Sequence, residues 1–271
     1  MNKPVFMYGQ PVADKIIEQV KQNLTNWTEP PVLGIVSVGD DEASKVYVRN
    51  KIRVAEECGI VVRHCVFAED ADYKDIMNKI FQLNRVADGV IVQLPVPPQY
   101  SADSFVNAVS FSRDVDCLSE EMVGAFYNGR SWCNPCTPQA VMDILEHYNI
   151  DIQGKNVVVI GRSQLVGRPV AELLLRKNAT VTICHSKTAD LGLYTRTADI
   201  IVCAAGCPKL ITADMVKEGV VIVDVSINRV DGKLCGDVDF DNVAPKCAAI
   251  TPVPKGVGPV TVAELMKNVV Q

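Results

Sequence analysis

Alternation between strand-like and helix-like segments is the feature that most restricts the fold of this chain. From residue 12 to residue 93, short apolar runs alternate with longer segments whose apolar residues recur at helical spacing. Predicted helices span 12–27, 41–58 and 72–86, and predicted strands span 32–38, 60–67 and 88–93. Alternation at this spacing predicts a parallel sheet with helices on both of its faces.

The alternation stops between residues 94 and 136 and returns near residue 139. Beyond the interruption, predicted helices span 139–148, 168–177, 212–218 and 260–270, and predicted strands span 156–160, 179–184, 199–203, 220–225 and near 248–252. The 271 residues also exceed the usual single domain of roughly 100–200 residues. The sequence therefore predicts two α/β domains joined by an irregular segment.

The amino-acid composition argues against some kinds of binding partner. Hydrophobic residues make up 48% and charged residues 22%, as in an ordinary globular protein. A net charge of -5 and an aromatic content of 6% argue against a nucleic-acid surface, which needs clustered basic residues and stacking aromatics. No run approaches the roughly 20 apolar residues that span a bilayer, and the N-terminus lacks a secretory signal pattern. We expect a cytoplasmic protein without nucleic-acid or membrane partners.

The ten cysteines do not indicate a metal site. Several lie in apolar runs, where free thiols act as small hydrophobic residues. Cys133 and Cys136 form a Cys-x-x-Cys pair, but no second pair or histidine cluster follows at a usual ligand spacing. No bound metal is expected.

A glycine-containing turn between a predicted strand and a predicted helix indicates a dinucleotide. The segment VVVIGRSQLVGRPVAELLL places Gly161 and Gly167 where a helix N-terminus can face a pyrophosphate. The turn has two glycines rather than the three of the G-x-G-x-x-G fingerprint. A tight strand-to-helix turn without a ligand is the alternative interpretation.

The end of the next predicted strand bears on the choice of cofactor. Enzymes that use NAD usually carry an acidic residue there for the ribose hydroxyl, whereas this chain has His185 and Ser186. Arg162 and Ser186 can accept a 2′-phosphate, and His185 is alternatively a solvated loop residue. We therefore expect NADP, with NAD as the alternative.

Polar side chains of the predicted helix 41–58 fall on one face. Ser44, Tyr47 and Lys51 are spaced i, i+3 and i+7. Gln93 ends a predicted strand, where ligand sites of parallel sheets lie, and Asp116 follows in the irregular segment. A surface pair in which Tyr47 packs on the Lys51 stem is one interpretation. Convergence of Lys51, Gln93 and Asp116 on one small molecule is the other.

These motifs, in this order, resemble the methylenetetrahydrofolate dehydrogenase/methenyltetrahydrofolate cyclohydrolase family nearly from end to end. The motifs are SKVYVRNK at 44–51, QLP at 93–95, DVD at 114–116, PCTP at 135–138, GRS at 161–163 with Val166 and Gly167, ATVT at 179–182, HSKT at 185–188, and GVGP at 256–259 with Thr261. So many short motifs in one order argue strongly against a chance resemblance.

The resemblance implies two successive reactions. First, 5,10-methylenetetrahydrofolate gives a hydride to NADP and becomes the methenyl cation. Water then opens that cation to 10-formyltetrahydrofolate, a one-carbon donor that serves purine biosynthesis. The resemblance also implies tetrahydrofolate derivatives as partners and a homodimer formed through the dinucleotide-binding domains.

The resemblance further implies two α/β domains flanking a cleft, the second a Rossmann-type dinucleotide-binding domain. The first domain is expected to comprise 1–137, joined by the C-terminal helix 259–271, and the second to comprise 138–258.

By the same resemblance, four side chains are catalytic candidates. Lys51 resembles the acid/base residue of hydrolysis and Gln93 its hydrogen-bond partner. Tyr47 resembles the aromatic that stacks on folate, and Asp116 the carboxylate that binds the pterin. The substrate-binding candidates are Ser44, Tyr47, Gln93, Leu94, Pro95, Asp116, Pro254, Gly256, Gly258 and Pro259. The cofactor-binding candidates are Thr137, Gly161, Arg162, Ser163, Val166, Gly167, His185, Ser186 and Ile227.

The chain departs from the family pattern at a few positions. Cys117, Ser226 and Lys255 each stand where the family usually has glycine, and Ser119 stands where histidine is common.

Two alternative functions stay open at this point. One is a monofunctional NAD(P)-dependent methylenetetrahydrofolate dehydrogenase, against which the joint presence of Lys51 and Gln93 argues. The other is a non-catalytic nucleotide-sensing protein on a Rossmann scaffold, which would not need Tyr47, Lys51, Gln93 and Asp116 as a set.

Overall fold

The computed structural model describes residues 3–271, except for the side chain of Ala43. The chain separates into two compact units. The three-stranded unit comprises Lys15–Cys136 and Val262–Gln271, and the six-stranded unit comprises the segment up to Asp14 and Thr137–Thr261. The N-terminal segment, which the sequence pattern places in the first domain, clusters with Thr137–Thr261 because its short strand Val5–Phe6 pairs with the strand Cys247–Ile250.

The strands, in chain order, are β1 Val5–Phe6, β2 Val32–Val38, β3 Val61–Phe67, β4 Gly89–Val92, β5 Asn156–Ile160, β6 Thr180–Cys184, β7 Ile200–Cys203, β8 Val220–Asp224, β9 Asn228–Val230, β10 Lys233–Cys235 and β11 Cys247–Ile250. The helices are α1 Gln10–Leu24, α2 Glu42–Cys58, α3 Tyr73–Val86, α4 Ala102–Val106, α5 Glu120–Tyr127, α6 Cys136–His147, α7 Gly167–Arg176, α8 Leu191–Thr195, α9 Phe240–Val243 and α10 Val257–Val269. No helix among residues 3–271 is long and apolar enough to cross a membrane.

The sheet of the three-stranded unit has the order β3-β2-β4, and all of its strands are parallel. Strand β2 lies in the middle, and its side chains Leu33 and Ile35 are fully buried. Helix α2 contributes Val48 and Ala55 to the same core cluster. The parallel sheet predicted from the alternation is therefore present, because apolar runs that are buried on both faces favour this arrangement.

Local sequence sets both ends of α2. The Asp41 carboxylate accepts the Ser44 N–H at 2.7 Å and caps the helix N-terminus. Gly59 ends the helix in a left-handed conformation, with a φ of 89° that glycine adopts without steric penalty. These two residues fix the register of α2, and therefore the direction in which Ser44, Tyr47 and Lys51 point.

The sheet of the six-stranded unit is fully parallel and has the order β1-β11-β8-β7-β5-β6. Strand β6, the next strand along the chain, pairs with one edge of β5, and β7 pairs with the other edge of β5. The strand order thus reverses between β5 and β7, and ligands of open parallel sheets bind at such a switch point, outside the carboxyl ends of the strands.

The segment between β7 and β8 differs from the prediction. The helix expected over 212–218 is wrong, since only Ala213–Met215 forms a single turn of 3-10 helix. Val216 is extended and 3% exposed, so the chain leaves the helical conformation to bury this side chain in the core of the unit. The antiparallel hairpin of β9 and β10 is another element that the sequence pattern did not indicate.

Gly89 provides a test of packing in the three-stranded unit. A Cβ atom at this position would lie 2.6 Å from Cγ1 of Val115 and 3.0 Å from Cγ2 of Val269. We expect Gly89→Ala to lower the free energy of unfolding by about 1–3 kcal/mol, because an added methyl group would overpack a buried site. Chemical denaturation measures the change.

Gly124→Ala is the matched control. Gly124 lies inside α5, and no atom lies within 4 Å of the position that a Cβ would occupy. Alanine there should stabilise the protein by up to about 1 kcal/mol, since glycine is a poor helix former. Equal stability changes for the two variants would show that packing around Gly89 is looser than described.

Candidate active site and cofactor pocket

A pocket of about 460 Å³ opens at the carboxyl ends of β5, β6 and β7, in the six-stranded unit. Five predicted cofactor residues line it, namely Gly161, Arg162, Ser163, His185 and Ser186. The volume falls in the range of sites for small molecules and cofactors. The pocket therefore lies where the strand order of a parallel sheet predicts a nucleotide site.

Close backbone packing explains the two glycines of the turn. Gly161 has a φ of 125°, and a Cβ there would overlap the carbonyl oxygen of Ala204. A Cβ at Gly167 would overlap the carbonyl oxygen of Gly161. Both positions consequently exclude side chains, and the turn between β5 and α7 is as tight as a dinucleotide fold requires.

Ser163 caps the N-terminus of α7. Its Oγ accepts the N–H groups of Val166 at 3.1 Å and Gly167 at 3.3 Å, and its carbonyl oxygen accepts the N–H of Arg168 at 3.1 Å. These N–H groups are thus bonded within the turn. The Ser163 hydroxyl hydrogen and the positive end of the α7 dipole are left to act toward the pocket.

The region expected to accept a 2′-phosphate has basic and hydroxyl groups. Arg162, His185 and Ser186 line the pocket, and no acidic side chain is among the described lining residues. The His185 Nδ1 accepts the Lys187 N–H at 3.1 Å, so the imidazole is held in the loop rather than freely solvated. Thr188, which sequence reasoning missed, also lines the pocket and accepts the His185 N–H at 2.9 Å through Oγ1.

Four of the predicted cofactor residues lie outside the pocket wall. Val166 and Gly167 stand at the beginning of α7, behind the turn. Thr137 lies in the first turn of α6, where its hydroxyl oxygen accepts the Thr261 hydroxyl at 3.3 Å. Ile227 is 43% exposed and precedes β9.

A loop that sequence reasoning missed forms another side of the same pocket. Ala204, Ala205 and Cys207 follow β7 and line the pocket directly. The signal that could have found them is positional, because residues just after the strand on the far side of the switch point face the ligand.

In the three-stranded unit, Lys51 and Gln93 are brought together. The Lys51 Nζ donates to the Gln93 Oε1 at 3.1 Å, and the Gln93 Nε2 donates to the Leu94 carbonyl oxygen at 2.7 Å. The second bond fixes the amide so that its oxygen faces the amine. This contact joins residues 42 positions apart and favours convergence over the interpretation in which Lys51 only supports Tyr47.

A smaller pocket of about 210 Å³ lies beside this pair. Three predicted substrate-binding residues line it, Ser44, Gln93 and Pro95. Most of its remaining wall is apolar, and Val48 and Ile52 of α2 form part of it. Tyr47 is 41% exposed on α2, and partial burial raises the pKa of its hydroxyl.

The irregular segment places its two aspartates in different environments. Asp114 is 3% exposed and accepts the backbone N–H groups of Leu118 at 3.0 Å and Ser119 at 2.7 Å. Burial raises the pKa of the Asp114 carboxyl. Asp116 is half-buried. Asp114 therefore holds the turn, while Asp116 is the carboxylate available to a ligand.

The thiol of Cys136 is buried near the irregular segment. Burial raises its pKa first, and the Asp116 carboxylate raises it further, whereas the nearby Lys51 ammonium lowers it. Asn268 of α10 donates to the Cys136 Sγ at 3.5 Å and to the Val115 carbonyl oxygen at 2.9 Å, which ties the C-terminal helix to this segment.

The structure accommodates Cys117, the first departure from the family pattern. Cys117 has a φ of 58°, in the left-handed region that glycine adopts without steric penalty. Its side chain is 1% exposed, and burial raises the pKa of the thiol to about 12. The thiol is thus protonated at neutral pH and inert as a nucleophile.

The predicted loop at 254–259 lies in the six-stranded unit, just before and within the first turn of α10. Lys255 has a φ of 88°, which also lies in the left-handed region that favours glycine. Its carbonyl oxygen accepts the Gly9 N–H at 2.9 Å. A Cβ at Gly256 would lie 2.6 Å from the Pro252 carbonyl oxygen, so the backbone is closely packed there.

Two family models cover most of the chain. Residues 7–116 match the catalytic domain of the tetrahydrofolate dehydrogenase/cyclohydrolases, and residues 135–271 match the NAD(P)-binding domain of the same family. The chain belongs to the tetrahydrofolate dehydrogenase/cyclohydrolase family. The family expected from the sequence motifs is therefore confirmed.

Members of this family resemble the chain over its full length. The bifunctional protein FolD of Caldanaerobacter subterraneus subsp. tengcongensis is 42% identical, and the match covers 99% of this chain and 96% of that protein. The crystal structure of the Campylobacter jejuni enzyme has a TM-score of 0.95 at 43% identity, covering 98% and 97% of the two chains. The NADP- and inhibitor-bound Trypanosoma brucei enzyme has a TM-score of 0.94 at 34% identity, covering 99% and 97%.

These relationships confirm several expectations. The two-domain α/β fold with a dinucleotide-binding domain is confirmed, and so is an enzyme with dehydrogenase and cyclohydrolase activities on tetrahydrofolate derivatives.

Cys207 gives a direct test of the cofactor pocket. It is the exposed cysteine among the ten, whereas burial raises the pKa of thiols such as Cys184 and Cys203. Since the thiolate is the reactive form, we expect N-ethylmaleimide to alkylate Cys207 fastest, and saturating NADP to slow that reaction at least about fivefold. Peptide mapping by mass spectrometry after timed quenching measures the rates.

Cys235 is the internal control. It lies in the same unit, is partly exposed and is absent from the pocket wall. Its alkylation rate should not change with NADP. Protection of both cysteines, or of neither, would contradict the assignment of the pocket.

Proposed function

We propose that this enzyme oxidises 5,10-methylenetetrahydrofolate with NADP and hydrolyses the resulting 5,10-methenyltetrahydrofolate to 10-formyltetrahydrofolate. The observation that carries the proposal is the Lys51–Gln93 contact, which joins a potential base to a neutral partner at the end of a sheet. The 460 Å³ pocket in the six-stranded unit supports the redox half of the proposal. The amine and the amide support the hydrolytic half.

Lys51 is the proton acceptor in this proposal. A methenyl cation beside the amine would disfavour its protonated form, because like charges repel. The neutral amine can then take a proton from the attacking water. Gln93 keeps the amine oriented through its Oε1 and adds no negative charge that would stabilise the ammonium form.

Asp116 and Tyr47 bind the substrate in this proposal. The half-buried Asp116 carboxylate can accept N–H groups from the amino-pyrimidine edge of a pterin, in a charge-assisted bidentate geometry. The exposed ring of Tyr47 offers an apolar face on which a flat heterocycle can stack. In the proposal, Ser44, Leu94 and Pro95 also contact the substrate, and the family resemblance supports a folate contact for Pro254, Gly256, Gly258 and Pro259.

The dinucleotide in the proposal is NADP. When bound, the nicotinamide accepts the hydride from the methylene bridge. Arg162, His185 and Ser186 hold the 2′-phosphate, because they bring a fixed positive charge and hydroxyl and imidazole groups to the pocket. Gly161, Ser163, Val166 and Gly167 shape the turn for the pyrophosphate, and Thr137 and Ile227 contact the remaining part of the cofactor. The NADP complex of the Trypanosoma brucei relative supports this choice.

The proposal also covers the compartment, the oligomeric state and the use of the product. It acts in the cytoplasm as a homodimer, and its 10-formyl product serves purine biosynthesis. The family resemblance supports the dimer, and sedimentation velocity would test it, since a single monomeric species at micromolar concentration would exclude it.

Lys51→Met tests the hydrolytic role. Methionine retains the length of the stem but has no amine, so we expect hydrolysis of methenyltetrahydrofolate to fall at least about 100-fold, the usual contribution of a general base. The dehydrogenase reaction should then release methenyltetrahydrofolate, which absorbance follows directly. Hydrolysis at the wild-type rate would contradict the assignment.

Lys79→Met is the matched control. The Lys79 Nζ donates to the Gln82 Oε1 at 3.0 Å on α3, so this variant removes the same kind of lysine–glutamine bond away from the proposed site. Both activities should remain within twofold of the wild type.

Arg162→Ala tests the choice of cofactor. Loss of a charge-assisted bond to the 2′-phosphate should weaken NADP binding at least about tenfold and leave NAD binding nearly unchanged. Isothermal titration with both dinucleotides measures the two constants. Equal loss for NAD and NADP would place the 2′-phosphate elsewhere, and Arg176→Ala, at the other end of α7, is the control that should change neither constant.

A further inference from the structure

A buried carboxylate holds the loop that follows β7. Asp237 is 0% exposed, and five groups donate to its oxygens. The donors are the backbone N–H groups of Ala205 at 2.7 Å, Gly206 at 3.2 Å and Cys207 at 2.8 Å, the Ser226 hydroxyl at 2.7 Å and the Asn228 amide at 3.0 Å.

The number of donors has a physical reason. A carboxylate taken out of water loses its hydration, and the loss must be offset by hydrogen bonds of good geometry. Three consecutive backbone N–H groups on one carboxylate also define the conformation of the loop that carries them. Asp237 therefore fixes residues 205–207 more tightly than side-chain packing on an exposed loop would.

This loop is a wall of the dinucleotide pocket. Ala205 and Cys207 line the pocket, and both donate their N–H groups to Asp237. Asp237 itself does not line the pocket. Its influence on a bound dinucleotide would consequently pass through the loop backbone.

Ser226 closes the arrangement. Its hydroxyl donates to the Asp237 Oδ2 at 2.7 Å and accepts the Gly206 N–H at 3.1 Å, so one side chain bridges the carboxylate and the loop. Glycine, the residue that the family resemblance led us to expect at this position, would lack both bonds. Serine at position 226 thus adds two hydrogen bonds, which connect the Asp237 carboxylate to the loop after β7.

The segments that carry Ser226 and Asp237 are themselves held by Asp224. Its carboxylate accepts the Ser226 N–H at 3.2 Å and the Val238 N–H at 3.0 Å. A Cβ at Gly236 would overlap that carboxylate, so the chain passes as close to Asp224 as a glycine allows. Burial raises the pKa of Asp224 to about 7, and the neighbouring Asp237 charge contributes.

We propose that Asp237 and Ser226 are positioning residues for the dinucleotide, because together they hold the 204–207 loop in the conformation that forms the pocket wall. The inference rests on the proposed function of that pocket. Neither residue lines the pocket. Their contribution is to the conformation of the binding site before the dinucleotide arrives, and preorganisation of this kind acts on affinity.

The bifunctional enzyme allows a sharp test, because hydrolysis of methenyltetrahydrofolate needs no dinucleotide. Ser226→Ala removes the hydrogen bonds to Asp237 and Gly206 and should raise the KM for NADP about fivefold to tenfold. The kcat at saturating NADP should change less than twofold, and so should hydrolysis of supplied methenyltetrahydrofolate. A merely structural role would lower both activities together.

Further variants complete the series. Ser226→Thr retains the hydroxyl and should restore the wild-type KM, whereas Ser226→Gly should behave as Ser226→Ala does. Asp237→Asn should raise the KM for NADP more than Ser226→Ala does, since an amide NH₂ would face backbone donors. Asp241→Asn, an exposed change of the same chemistry in α9, is the control and should alter nothing.

The results for Ser226→Ala and for the wild-type enzyme distinguish failure of the positioning role from failure of the proposed function. An unchanged KM in Ser226→Ala, or a parallel loss of both activities in it, overturns the proposal, whether or not Asp237→Asn folds. If the wild-type enzyme itself binds neither NADP nor NAD in titration, the proposed function of the pocket fails first. A normal wild-type KM together with an unaltered Ser226→Ala enzyme rejects only the positioning role.

Discussion

The close approach of backbone to backbone at the carboxyl edge of the six-stranded sheet is the constraint on which the cofactor site depends. Gly161 packs on the carbonyl oxygen of Ala204, and Gly167 packs on that of Gly161. A side chain at either glycine would separate β5, α7 and the loop after β7. The turn can therefore be tight enough for a pyrophosphate only because two positions carry no Cβ. Asp237 then fixes the loop on the far side of the same contact.

Both units use buried carboxylates to stabilise loops. In the six-stranded unit, buried carboxylates of Asp224 and Asp237 accept backbone N–H groups and stabilise loops. In the three-stranded unit, Asp114 does the same for the segment before α5, while the half-buried Asp116 and the hydrogen-bonded pair Lys51 and Gln93 are the groups proposed to act on the substrate. Full burial thus distinguishes the carboxylates that stabilise loops from the half-buried Asp116, which is the one proposed to bind the substrate.

Much of the fold and part of the site could be predicted from the sequence. Strands 32–38 and 156–160 were predicted at their observed bounds, since a continuous apolar run fits a strand buried on both faces. The C-terminal end of α2 was predicted at its observed position, because Gly59 ends the helix. The helix at 212–218 was wrong, because burial of Val216 overrides local helical spacing. Five of the nine predicted cofactor residues line the pocket. Ala204 and Cys207 were missed because they belong to no motif, and Thr188 was missed because the HSKT motif does not show which of its side chains faces the pocket.

The sequence by itself determined the family, the two-domain α/β class and the residue types of the site. Periodicity and short motifs are local properties, and they can be recognised without coordinates. Only the tertiary structure decided that β1 joins the second sheet and that Ser226 bridges Asp237 and Gly206. Those contacts join residues far apart in the chain. Their partners are chosen by strand order and by the need of buried polar groups for hydrogen bonds, which no local pattern encodes.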